Sequence, residues 1–183
     1  MDQGDIFKVG DVIQIGRYSC KVEKIFSPGG QGEVARVLVN GKPWALKWYH
    51  PSRATPQQLI NLRRLAEIGP PDPVRFCWPV FVSTAADRPA YGYLMPLLPG
   101  TMCSPDDYFN PEIKIPRFRR QLAIVLAEIS HCLALVHLKG LCYCDVSHNN
   151  IAFDPATGEV RLYDNDNVKP DDATAVHHTL GSS

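Results

Sequence analysis

The first half of the chain is patterned for β-strands. Tyr18 to Phe26 and Ala35-Arg36-Val37-Leu38-Val39 are β-prone runs. They flank the glycine-rich stretch Ser27-Pro28-Gly29-Gly30-Gln31-Gly32-Glu33-Val34, which predicts strand, turn and strand. Asn40-Gly41 supplies a tight hairpin turn into Trp44-Ala45-Leu46-Lys47-Trp48-Tyr49. Asp11 to Ile15 is a candidate extra strand, and Tyr93-Leu94-Met95-Pro96-Leu97 reads as a buried strand ending at a proline. Two helices interrupt this pattern. Thr55 as N-cap with Pro56 at the first helical position opens one that runs to about Ile68. Pro116 opens a longer one to Lys139, with apolar residues recurring through Leu126, Ile129, Leu133 and Val136. Near the end, Ile151-Ala152-Phe153, the turn residues Asp154 to Gly158, and Glu159 to Tyr163 form a short hairpin. The class is α+β.

That hairpin carries the candidate chemistry. Asp145 precedes it, Asn150 stands five residues on, and Asp164 follows fourteen after that. The turn folds the chain back, so Asn150 and Asp164 emerge at the same end of the two strands. One carboxylate and one amide oxygen, completed by phosphate and water, suit magnesium. A further carboxylate, Asp145, can orient an attacking hydroxyl, as phosphoryl transfer requires. The plainer alternative is an Asx-rich loop capping a strand, since Asp and Asn favour turns for local reasons.

Lys47 is a second pointer. It interrupts an apolar strand, where a solvated charge is out of place, and would turn inward to meet phosphates beneath the glycine flap. Glycines let backbone amides approach phosphate closely. An ordinary hairpin accounts for the glycine run alone. A P-loop is excluded, because no Gly-Lys-Ser/Thr closes the run and no helix follows it.

Together and in this order the pieces resemble the protein-kinase family, over nearly the whole chain from about Tyr18. Ser27-x-Gly29-x-x-Gly32-x-Val34 is similar to the glycine-rich loop, with Ser for the first Gly. Ala45-Leu46-Lys47 is similar to the lysine strand, Asp145 to Asn150 to the catalytic loop, and Asp164-Asn165-Asp166 stands where the family has Asp-Phe-Gly. The bacterial Ser/Thr branch is the nearest in pattern. The resemblance implies an antiparallel, β-rich N-lobe with one helix over residues 18–98, after an N-terminal extension of residues 1–17. It also implies a partial, mainly helical C-lobe over 99–183, the chain ending after an activation-segment-like tail. It implies Asp145 as catalytic base, and Asn150 and Asp164 as magnesium ligands. Lys47 would contact the α- and β-phosphates of ATP. Ser27, Gly29, Gly30, Gly32, Val34, Ala45, Met95 and Leu97 would surround the nucleotide, the last two at the interlobe hinge.

The departures matter as much. The Glu that pairs with the family's lysine aligns with Gln58, and the helix has only Glu67, near its far end. Either Glu67 takes the role or the pair is absent. Tyr143-Cys144 replaces the His-Arg before the catalytic Asp, Ser147 replaces a Lys, and Asn165-Asp166 replaces the Phe-Gly.

Composition adds bounds. Nineteen basic and nineteen acidic residues balance to no net charge, which gives no support for nucleic-acid binding. No run reads as a membrane span, and Met1-Asp2-Gln3-Gly4 does not open a signal peptide, so a cytoplasmic location is expected. Six scattered cysteines offer no zinc spacing. Cys144 beside Asp145 reads as a buried structural thiol, with redox sensitivity as the alternative. The Arg117, Arg119 and Arg120 cluster reads as a solvated helix start, and His177-His178 as surface. The expected function is ATP- and magnesium-dependent phosphorylation of Ser/Thr hydroxyls on a protein. The alternatives are a small-molecule kinase of the aminoglycoside or choline type, and a non-catalytic nucleotide-binding scaffold.

Overall fold

The computed structural model describes residues 6–26, 29–85, 88–115 and 119–171. The chain forms two compact units: one from the chain up to Gly69 together with Trp78–Leu97, the other from Pro70–Cys77 together with the chain from Leu98 onward.

The first unit is an antiparallel sheet of six strands: β1 Val12–Ile15, β2 Tyr18–Ile25, β3 Gly32–Val39, β4 Lys42–Tyr49, β5 Phe81–Ser83 and β6 Gly92–Pro96. They lie in the order β1-β2-β3-β4-β6-β5. Asn40 and Gly41 both take positive φ, at 51° and 76°, which closes β3 onto β4 with Val39 opposite Lys42. β3 and β4 each start earlier than their apolar runs, because the ladder reaches from Lys42 to Gly32, opposite Tyr49. Alternation puts Ile13, Ile15, Cys20, Val22, Ala35, Val37, Val39, Leu46, Trp48 and Leu94 into one core, joined by Phe7. β1 is thus an integral edge strand of this sheet. Helix α1, Pro56–Ile68, has Thr55 as N-cap, its hydroxyl accepting from the Gln58 N–H at 3.2 Å. Leu62 and Leu65 are its buried residues, and Trp78 donates its indole N–H to the Leu65 carbonyl at 2.8 Å.

The second unit contains α2 Pro105–Phe109, α3 Arg119–Leu138, and four short strands: β7 Leu141–Tyr143, β8 Ile151–Phe153, β9 Val160–Leu162 and β10 Val168–Pro170. β8 pairs with β9, Ile151 opposite Leu162, and β10 pairs with β7, Val168 opposite Tyr143. Pro70–Cys77 belongs here, although a linear division at residue 98 leaves it in the first unit. Cys77 N–H donates to the Leu162 carbonyl and Leu162 N–H to the Arg75 carbonyl, each at 2.8 Å. Arg75 also bridges Asp72 at 3.1 Å and Glu128 of α3 at 2.9 Å.

Among the described residues one helix, Arg120–Leu138, is long and apolar enough to cross a membrane by length and composition. This corrects the sequence reading that no run is a membrane-span candidate. Here Val125, Cys132 and Val136 are buried and Glu128 is paired, so that face is seated on protein. Pro116, Arg117 and the His177-His178 pair lie outside the described residues, as does Ser27.

Candidate active site

Each unit gathers a different group of the residues singled out in the sequence. In the first, Lys47 is buried, at 4% exposure. It stands opposite Val34 on β3 and opposite Tyr93 on β6, while Ala45 stands opposite Met95. Paired residues on antiparallel strands point to the same side, and so do i and i+2 on one strand. Val34, Ala45, Lys47 and Met95 therefore share one face, the reverse of the core just described. Leu97 follows immediately after β6 and is half-buried. The Lys47 ammonium lies 3.5 Å from Gln31 Oε1 and 5.2 Å from the centre of the Tyr49 ring, so a residue of the glycine turn and an aromatic face are among its neighbours.

The turn itself is anchored. Gly29 N–H donates to the Gly32 carbonyl, and His50 N–H to the Gln31 carbonyl, each at 3.0 Å. Gly29 and Gly30 are exposed, whereas Gly32 is buried. A Cβ on Gly32 would sit 2.2 Å from the Trp48 carbonyl oxygen. The absent side chain at Gly32 is thus required by the neighbouring strand.

Neither candidate partner for Lys47 on α1 takes that role among the described residues. Gln58 Oε1 accepts from the Tyr91 hydroxyl at 2.8 Å, and Glu67 is exposed at the helix end without an ion pair.

In the second unit the short ladders do the positioning. Asp145 lies two residues beyond β7 and Asp164 two residues beyond β9, while Asn150 and Asn167 come immediately before β8 and β10. Tyr163 N–H donates to the Asn150 carbonyl at 3.0 Å, extending the hairpin to the point where Asn150 and Asp164 leave it. The Asn150 amide, 6% exposed, donates to the Asp145 carbonyl at 2.9 Å and to its carboxylate Oδ2 at 3.1 Å. Asn167 donates to the same Oδ2 at 3.5 Å. Sequence reasoning did not find Asn167, whose proximity to Asp145 depends on β10 returning to β7.

Asp164 adopts the left-handed conformation, φ 59° and ψ 45°, which costs a non-glycine residue about 1–2 kcal/mol and clusters at functional sites. Negative charge accumulates here. Burial pushes the Tyr143 phenol up, and the carboxylates of Asp164, Asp166 and Asp145 push it further. Burial likewise raises Tyr163, followed by Asp164, Asp107 and Asp106. Tyr143 is a neutral donor, its hydroxyl bonded to the Tyr163 carbonyl at 3.2 Å. Asn165, where the family has Phe, is fully buried and clamps the Cys77 carbonyl at 3.1 Å and the Leu162 carbonyl at 3.0 Å.

A hard divalent cation fits this set. With its nitrogen committed to Asp145, Asn150 presents an amide oxygen that no described donor takes, in the same loop region as the carboxylates of Asp164, Asp166 and Asp145 that act on Tyr143. Among the described residues no three His, Cys, Asp or Glu side chains form a metal cage of their own. Magnesium needs no such cage, because it is held by one or two protein oxygens together with phosphate.

Ser147 caps the turn over His148–Asn150, its hydroxyl accepting from the Asn149 N–H at 3.2 Å. His148 lies 3.5 Å from Asp106, both largely exposed, a geometry worth little energetically. None of the six cysteines, all among the described residues, is held in a disulfide. Burial, then Cys142, raises Cys144, which is half-buried rather than buried as the sequence reading expected.

No family model and no curated protein matches this chain. Solved structures do. A BubR1 kinase domain superimposes with a TM-score of 0.66 at 12% identity, covering 90% of this chain and 51% of that one. The Mycobacterium tuberculosis PknI kinase domain gives 0.61 at 19% identity, covering 87% and 62%. Vaccinia related kinase 3 gives 0.62 at 15% identity, covering 94% and 55%. The chain has a protein kinase-like fold. It spans about half to two-thirds of the length of these kinase structures.

Proposed function

We propose that the chain is an ATP- and magnesium-dependent phosphotransferase acting on Ser/Thr hydroxyls of a protein. The observation that carries this reading is the convergence of Asp145, Asn150, Asp164 and Asn167 at the ends of two strand pairs. In this reading Asp145, its Oδ2 held by the two Asn amides, orients the substrate hydroxyl and accepts its proton as the oxygen attacks. Asn150 and Asp164 hold the magnesium, which neutralises the phosphate oxygens when bound. Lys47 meets the α- and β-phosphates, and Gly29, Gly30 and Gly32 form the roof, with Ser27 preceding them. Val34, Ala45, Met95 and Leu97 take the base. A cytoplasmic location belongs to the same proposal, in keeping with six cysteines outside any disulfide.

A second reading, a nucleotide-binding scaffold without catalysis, is favoured by one specific set of facts: Gln58 and Glu67 are not placed on Lys47, and Ser147 brings no cation to the loop. Labelled ATP incubated with magnesium, mixed protein substrates and small amino alcohols separates the readings. Label on protein supports the proposal, and label confined to the alcohols points to a small-molecule kinase. Nucleotide binding without any transfer indicates the scaffold.

A further inference from the structure

Glu33 directly follows the glycine turn, yet its side chain is only 4% exposed and takes no part in the chemistry above. Its carboxylate accepts two backbone N–H groups from the chain's beginning: Oε1 from Ile6 at 3.1 Å and Oε2 from Phe7 at 3.2 Å. The carbonyl of the same segment is met by Arg88, whose Nη1 donates to Ile6 O while its Nη2 pairs with Asp11 at 2.8 Å. Phe7 is buried in the sheet core, and the Arg88 guanidinium lies 6.0 Å from its ring centre. Lys8 N–H donates to Asp11 Oδ2 at 3.0 Å, and Gly10 N–H to the Val22 carbonyl at 2.9 Å, tying the segment's exit to β2. A carboxylate for N–H, a guanidinium for C=O and an apolar seat for an aromatic are the means by which proteins grip extended peptides. Here they grip the chain itself.

Covering the core would need Phe7 alone. A buried carboxylate is costly unless hydrogen-bonded, so Glu33 keeps its place only while the segment is bound. Release sends that carboxylate toward water, and the residue joined to it is Gly32. Gly32 accepts from Gly29 and packs against the Trp48 carbonyl too closely to admit a side chain, so a shift there is passed to the whole turn. We propose that Ile6–Lys8 is a strap that sets the Gly29–Gly32 turn, with Glu33 as the positioning residue, so that nucleotide affinity depends on the strap being seated. This rests on the turn's role as the nucleotide roof.

Amide hydrogen exchange on the full chain tests the coupling without any nucleotide. Glu33→Ala is expected to speed exchange of residues 29–33 by about tenfold or more, while residues 42–48 of β4 stay within about twofold of the parent. The apparent Kd for ATP should rise by a similar factor, with transfer at saturating ATP nearly unchanged. Glu33→Gln, which keeps one acceptor oxygen, should restore part of both. Arg88→Met releases the strap from its other end and gives the same test should Glu33→Ala not fold. Fast exchange at Ile6 and Phe7 with an unchanged turn overturns the inference, as does unchanged exchange throughout. A parent protein that binds no nucleotide contradicts the proposed function instead, and leaves the exchange result standing.

Discussion

Asn150 commits its side-chain nitrogen to Asp145 twice, to the main-chain oxygen at 2.9 Å and to carboxylate Oδ2 at 3.1 Å. One amide thereby does two things. It holds the carboxylate of the residue proposed as base, and it leaves its own oxygen to serve, in the proposed site, as a neutral, hard ligand. The five-residue spacing between them has meaning only through this geometry, since Ser147 caps the intervening turn and brings Asn150 N–H onto the Ser147 carbonyl at 3.0 Å.

The first prediction concerns the base. Asp145→Asn keeps the size of the side chain but removes its capacity to take a proton. Transfer should fall by about 10²–10⁴-fold, the range general-base removal produces, while ATP binding stays nearly intact. Parallel loss of both would make Asp145 a structural residue. Steady-state kinetics beside an equilibrium binding assay decide it.

Asn167 is proposed to act through Asp145, to whose Oδ2 it donates. Asn167→Ala removes one long hydrogen bond at 3.5 Å, so kcat should drop by about two- to tenfold with KM for ATP unchanged. A change in KM without a change in kcat would contradict its assignment as a positioning residue.

Gly32 and Gly30 should respond in opposite ways. A methyl on Gly32 meets the Trp48 carbonyl at 2.2 Å and Tyr49 Cα at 2.9 Å, backbone atoms that cannot swing aside. Gly32→Ala should cost about 1–3 kcal/mol of stability in a urea titration. A methyl on Gly30 meets nothing within 4 Å, so Gly30→Ala should unfold at nearly the parental midpoint.

Alkaline pH should weaken the fold through its buried thiols. Burial pushes Cys20, Cys77 and Cys132 up to about 11 from an ordinary value of 9.0. The folded state therefore retains protons that the unfolded chain gives up. The stability tied to these protons is fully present below about pH 9 and is lost as pH rises through about 11. Urea midpoints across that interval should fall, and replacing the three cysteines by alanine should flatten the fall. A midpoint that rises across the interval would contradict the burial of these thiols.

Much of this could be read in the sequence where local chemistry decides structure. Asn40-Gly41 can hardly be anything but a tight turn, Thr55-Pro56 opens a helix, and the turn residues from Asp154 to Gly158 close the hairpin that carries Asn150 toward Asp164. What escaped depends on partners far along the chain. β5 and β10 are three-residue strands that exist because β6 and β7 offer them hydrogen bonds. Pro70–Cys77 joins the second unit through Leu162, and Asn167 reaches Asp145 only by way of that β10 pairing. Gln58 aligns with the acid that pairs with the kinase lysine, and nothing local shows that its Oε1 accepts from the hydroxyl of Tyr91, 33 residues away. Glu33 gave no signal at all, since nothing local marks a carboxylate as the seat of backbone N–H groups from residues 6 and 7.

The most direct measurement is ATP binding by calorimetry, with and without magnesium, on the parent chain and on Asp164→Asn. Asn tolerates the left-handed backbone at this position, so the variant removes charge with little change in local conformation. The account predicts that magnesium tightens ATP binding to the parent, and that Asp164→Asn loses about tenfold or more of that gain while its magnesium-free binding is unchanged. ATP binding indifferent to magnesium, or a folded parent chain that binds no ATP, would contradict it.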